Sequence, residues 1–115
     1  MGYRVHICEE YETVSKMQGG AYIGYDLKVR FSPNQRSWFN NRSYALANWF
    51  SENSDCCYLD PEAEEWNIDT SYLARIHPKA YETPPDDVSP EEMKEFISEC
   101  IRCGEKNGFV HLEWW

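Results

Sequence analysis

The clearest alternation in the chain runs Ala21, Ile23, Tyr25, Leu27, Val29, Phe31 against Tyr22, Gly24, Asp26, Lys28, Arg30, Ser32. A repeat of two over this length predicts a strand, which Ser32-Pro33-Asn34 then breaks. Tyr3, Val5 and Ile7 alternate in the same way with Arg4, His6 and Cys8 and predict a strand over residues 3–8. Between the two, Glu12 to Gln18 reads as a short helical turn ended by Gly19-Gly20, which would make the flanking strands antiparallel neighbours. Leu46, Trp49 and Phe50 share one helical face in residues 42–52, with Asn40 or Asn41 as the N-cap. Residues 53–67, including Cys56-Cys57-Tyr58-Leu59, are acidic and turn-rich and read mainly as a loop.

Asp69 then caps a second helix, with Ile68 and Leu73 as a hydrophobic staple, and Pro78 limits its length. The proline-rich stretch from His77 to Asp87 reads as an ordered linker. The third helix has the strongest local signals. Ser89 and Glu92 form a capping box, Pro90 takes the first helical position, Val88 and Met93 make the staple, and Gly104 stands where a C-cap glycine belongs. Met93, Phe96, Ile97 and Cys100 give it a buried stripe. The chain ends in a strand, with Val110, Leu112 and Trp114 alternating with His111, Glu113 and Trp115. These elements predict an α+β fold: one small domain spanning residues 1–115, with a three- to four-stranded, mostly antiparallel sheet and two to three helices packed on one face.

Composition sharpens this picture in two ways. The 115 residues carry a net charge of -9, and that charge is segregated. Residues 1–50 hold six basic and four acidic side chains, whereas residues 51–115 hold five basic and 16 acidic ones, a balance of -11. Such a chain is repelled by nucleic-acid backbones and anionic membranes, so direct contact with either is not expected. The aromatic content of 16%, with five Trp and eight Tyr, exceeds what a small core can hide and suits a protein interface. No apolar run is long enough to cross a bilayer, and the first residues lack a signal-peptide core and a myristoylation pattern, so a soluble, cytoplasmic protein is expected.

Candidate chemistry is sparse. Cys100-Ile-Arg-Cys103 is a CxxC pair, but it falls in the last turn of its helix, where the dipole raises a thiol's pKa. Zinc there would need Cys56, Cys57 or His111 to fold back onto the helix end. His6 and Cys8 share a strand face, and His111 becomes their neighbour if the last strand pairs with the first. No nucleophile with its base and no phosphate-cradling glycine loop is discernible, so no enzymatic activity, cofactor or metal is expected.

The acidic residues are more informative. Glu91, Glu95 and Glu99, four apart, form a column on the third helix with a repeat of about 6 Å, partly interrupted by Lys94 and extended by Asp86 and Asp87. That spacing matches successive phosphates and would let the column occupy a basic groove as a nucleic-acid mimic. A second patch places Glu62, Glu64 and Glu65 around Trp66, where arginine of a partner could pair with carboxylates and stack on the ring.

Small size, acidity and the absence of catalytic motifs make the chain similar in type to phage- or mobile-element-encoded inhibitors of host defence, such as anti-CRISPR and anti-restriction proteins. The expected function is inhibition of a basic nucleic-acid-handling protein through Asp86, Asp87, Glu91, Glu95, Glu99, Glu62, Glu64, Glu65 and Trp66. An immunity protein masking a toxin nuclease, and a small Cys/His zinc protein or enzyme, are the alternatives. Trp114 and Trp115 either close the core or make a homodimer.

Overall fold

The computed structural model describes residues 3–115. Four strands, β1 (Arg4–Ile7), β4 (Ser37–Asn40), β5 (Glu65–Asp69) and β6 (Phe109–Trp114), form an antiparallel sheet in the order β4-β1-β6-β5. The apolar C-terminal strand thus lies inside the sheet, as its composition demands. Val5 pairs with Trp114, Ile7 with Leu112, Trp66 with Leu112 and Ile68 with Val110, and all of these side chains are buried. Helices α1 (Ser43–Asn53), α2 (Thr70–Ala74) and α3 (Pro90–Gly104), with a 3-10 turn at Pro78–Glu82, pack on that face and close one core. This is the α+β fold anticipated from the sequence.

Local grammar explains α3 well. Ser89 Oγ accepts a hydrogen bond from the Glu92 amide at 3.1 Å, and Glu91 and Glu92 lie in the first turn, where they favour the helix dipole. Met93, Phe96, Ile97 and Cys100 are buried as their spacing requires. Asp69 caps α2 by accepting from the Ser71 amide at 2.9 Å, and Ile68 and Leu73 are both buried.

Gly104 has a different role from the one expected. It is the last residue of the helix, and Glu105 takes the C-cap. A Cβ at position 104 would clash with Thr70 Cγ2 and lie 3.0 Å from the Phe109 carbonyl carbon and 3.1 Å from the Val110 amide nitrogen. Glycine is required because α3 ends against the β6 backbone. Gly104→Ala is therefore expected to cost about 1–3 kcal/mol by overpacking, instead of the roughly 1 kcal/mol gain usual for Gly→Ala in a helix. Urea denaturation of the two proteins measures the sign directly.

The structure adds to or corrects several further expectations. Residues 12–18 are not helical but belong to strand β2 (Glu10–Gln18), which pairs with β3 (Ala21–Arg30) as a separate two-stranded ribbon. Gly19 and Gly20, at φ 58° and 79°, supply the two left-handed residues that a two-residue hairpin turn needs. β1 and β3 are consequently not neighbours. Asn41 does not cap α1: it sits at φ 52°, its side chain accepts from the Tyr3 amide at 3.0 Å, and Arg42 holds the N-cap without a side-chain bond. The linker at 77–87 contains the 3-10 turn, held by Trp49 Nε1 donating to the Thr83 carbonyl at 3.0 Å. Finally, β5 begins inside the stretch assigned to loop, and β4 was not anticipated.

Candidate functional site

The acidic column is present but is not bare. Asp86, Asp87, Glu91 and Glu95 are exposed and Glu99 is half-buried. Arg36 pairs with Glu95 at 3.0 Å, Arg42 with Asp87 at 3.2 Å, and Arg102 with both Glu99 at 2.7 Å and Glu9 at 3.2 Å. The Arg102 hydrogen bond holds the Glu99 carboxyl below its usual range. Arg36 also stacks on Trp38, 3.6 Å from the ring centroid. A groove of about 690 Å³ runs between α3 and residues 32–38, and its walls mix Arg36 and Lys94 with Glu9, Glu95 and Glu99. Arg36 and Arg42 of the first half thus fold onto Glu95 of the helix and Asp87 just ahead of it, and Arg102 of the helix itself neutralises Glu99. The mixed charge of this groove is the opposite of a polyanion surface.

The second acidic patch divides in two. Trp66 is 3% exposed, donates Nε1 to the Asp60 carbonyl at 2.8 Å and packs edge-on against Trp114. It is a core residue and cannot be a partner contact, which corrects the sequence expectation. Alternation along β5 turns the exposed Glu65 to the opposite sheet face from Trp66.

Glu62 and Glu64, by contrast, line a pocket of about 400 Å³ together with Tyr3, Tyr44, Asn41 and Trp114. The Tyr44 hydroxyl donates to Glu62 Oε1 at 2.8 Å, which raises its pKa, and the Glu62 amide donates to Asp60 Oδ1 at 2.9 Å. Among the described residues no lysine or arginine lines this pocket. Tyr3 and Tyr44 are 61% and 57% exposed, so the pocket presents two acidic residues beside two accessible tyrosines. Tyr3 and Tyr44 were not singled out from the sequence. Tyr44 carried a signal, since it lies off the Leu46, Trp49, Phe50 stripe of its helix and so faces outward.

The cysteine and histidine candidates separate. Cys8, Cys56, Cys100 and Cys103 are buried, Cys57 is exposed, and all five are free thiols. β1 does pair with β6, which puts His6 and His111 on one sheet face. Their rings are nevertheless engaged apart. His6 stacks on Trp115 at 3.5 Å, and burial lowers its pKa, whereas His111 bonds to Asn67 and Glu113. Trp114 closes the core, while Trp115 remains 49% exposed.

The β2–β3 ribbon carries an uneven pair of faces. One face is laced with charge, with Lys16 and Asp26 at 3.1 Å and Glu10 and Arg30 at 3.9 Å. Met17, Tyr22 and Tyr25, by contrast, are exposed apolar side chains. Tyr11 anchors the ribbon by donating its hydroxyl to the Phe109 carbonyl. Among the described residues no helix is long and apolar enough to cross a membrane. Comparison with known proteins gave no matching family model, no similar curated protein and no similar solved structure, so the reading of this chain rests on its own residues.

Proposed function

We propose that this chain is a protein-binding inhibitor that grips a basic segment of a nucleic-acid-handling protein in the Glu62/Glu64 pocket, in the manner of phage or mobile-element counter-defence proteins. The observation that carries the reading is that, among the described residues, no lysine or arginine enters a pocket walled by two carboxylates and the exposed rings of Tyr3 and Tyr44. An arginine entering there pairs with a carboxylate through its planar fork and lays the same plane on a tyrosine ring, which the point charge of lysine does less well. The -11 balance of residues 51–115 steers a basic partner toward this half of the molecule. The α3 column contributes less, because three of its five acids already hold an arginine of this chain. An immunity protein masking a toxin nuclease would use the same contacts.

The test is capture from bacterial lysate at low and high salt, with the wild type, the Glu62→Lys/Glu64→Lys protein and a Glu91→Lys protein compared side by side. Capture of one basic nucleic-acid enzyme, weakened by salt and reduced at least tenfold by the pocket reversal, is the expected result. Equal capture by the pocket variant, with its circular dichroism unchanged, sinks the pocket as the binding site.

A further inference from the structure

On the sheet face opposite the helices, register brings together four residues that are distant in sequence. Glu65 of β5 stands directly across from Glu113 of β6, and Asn67 stands across from His111. Side chains paired in this way share a face, and like charges placed directly opposite destabilise a sheet. The pairing of Glu65 with Glu113 therefore costs stability unless something positive sits between them. Among the described residues no lysine or arginine does. The four residues line a cleft of about 220 Å³ whose other wall is Tyr25, Leu27 and Val29 of β3.

His111 makes the requirement sharper. It is 2% exposed, with Nδ1 at 2.7 Å from Asn67 Oδ1 and Nε2 at 2.8 Å from Glu113 Oε2. An amide oxygen has no proton to give, so the hydrogen of that first contact belongs to Nδ1. Nε2 is thereby aimed at a carboxylate oxygen, and a metal ion can be held by both atoms at this separation. A carbonyl oxygen that fixes Nδ1 while Nε2 points at the acids is also the arrangement by which proteins orient a metal-ligating histidine.

We propose that Glu65, His111 and Glu113 form a divalent-metal site of the nitrogen-and-oxygen type that takes zinc, with Asn67 as the residue that fixes the imidazole. One nitrogen and two carboxylate oxygens are an accepted donor set for zinc, with bonds of about 2.0–2.2 Å. The three donor atoms lie within 4.8 Å of one another, and the exposed Glu65 side chain closes the remaining gap by rotating about its own bonds. All three residues line the cleft beneath β3. Glu9, Glu99 and Cys103 make a second grouping of this size, but Arg102 already supplies its cation, and burial pushes the Cys103 thiol up to about 11. The β5–β6 site is the one whose negative charge is left to an ion.

The experiment is calorimetric titration of the purified chain with zinc alone, in a Cys57→Ser background that removes the exposed thiol. One equivalent is expected to bind. Glu65→Gln and Glu113→Gln, which keep side-chain size, are each expected to weaken binding at least tenfold, and Asn67→Ala about 10–100-fold. Glu9→Gln is expected to leave it unchanged. Nitrogen NMR of His111 gives an independent readout, because Nε2 must shift on adding zinc. Absence of zinc binding, binding indifferent to the Glu65 and Glu113 changes, or a His111 Nε2 signal that does not move as zinc is added each overturns the site.

Discussion

Replacing Phe96 by alanine is expected to remove about 3–5 kcal/mol of stability, more than the overpacking at Gly104 would. The side chain is fully buried in the middle of α3, and its ring meets the edges of Phe39 at 4.7 Å and Trp38 at 5.4 Å. Those two contacts join the helix to β4, an edge strand only four residues long. Phe39 also stands at φ 30°, beside the register shift between β4 and β1, where Arg4 pairs with Asn40 but Val5 with Trp38. Phe39 is thus the extra residue of a bulge, in a backbone conformation that costs a non-glycine residue about 1–3 kcal/mol. The Phe96 ring helps to hold it there. Loss of the ring therefore combines a cavity with release of that bulge. With typical domain stabilities of about 5–15 kcal/mol, the variant should lose a large share of its folding free energy. Equilibrium urea unfolding measures the loss, and Phe96→Leu, which keeps most of the volume, should lose distinctly less. A loss below about 1 kcal/mol for the alanine variant would show that α3 and β4 are not packed in this way.

The thiols provide the second large effect. In the folded protein at pH 8 a disulfide reagent is expected to modify one cysteine, Cys57, rapidly and the other four only as the chain opens. Burial raises the pKa of Cys8 and Cys56, drives Cys100 well above its ordinary value and pushes Cys103 up to about 11. At pH 8 a thiol with a pKa near 11 is roughly 0.1% thiolate, against roughly a quarter for an unperturbed one, and only the thiolate attacks. The same shifts set a pH dependence. A buried thiol that stays protonated in the folded chain but ionises in the unfolded chain binds more protons when folded. Stability is then fully present below the unfolded thiol pKa of about 8.5 and falls as pH rises through it toward the folded values. Urea midpoints at pH 7.5 and pH 10 should therefore decline in the wild type, and less in a Cys103→Ala protein than in its parent. Two or more rapidly modified thiols at pH 8 would contradict the burial of Cys8, Cys56, Cys100 and Cys103.

These cysteines also show where sequence reasoning was sufficient. The placement of Cys100-Ile-Arg-Cys103 at a helix C-terminus was enough to argue against a reactive pair, because the sign of the dipole follows from position alone. Helix α3 was legible for the same reason: a cap, a proline, a staple and a stripe are all local. β4 was not legible. Its bulge buries Trp38 and Phe39 in succession, and that erases the alternation by which a strand is recognised. β3 was legible as a strand, but its apolar positions pointed to a buried sheet, whereas it forms half of a projecting ribbon with Ile23 57% and Tyr25 51% exposed. Local alternation reports the strand and is silent about what covers it.

The candidate sites divide along the same line. The excess of carboxylates in the second half was plain from the sequence, but the pairing of Asp87 and Glu95 with Arg42 and Arg36 depended on contacts across 45 and 59 positions. Trp66 could be named, yet only the packing of β5 against the helices decided that it is core. The Glu65, Asn67, His111 and Glu113 grouping was invisible, because register between β5 and β6 spans more than 40 residues of chain.

By itself, then, the sequence determined the class of fold, the α3 helix, the inward face of the C-terminal strand and the sign of the molecule's surface charge. All of these follow from periodicity, capping and side-chain ionisation, which act within a few residues. Tertiary structure alone decided which acids are free, which rings are exposed and which strands are neighbours. Those are properties of pairs of residues far apart in the chain, and they come into being only when the sheet register and the helix packing fix the pairs in space.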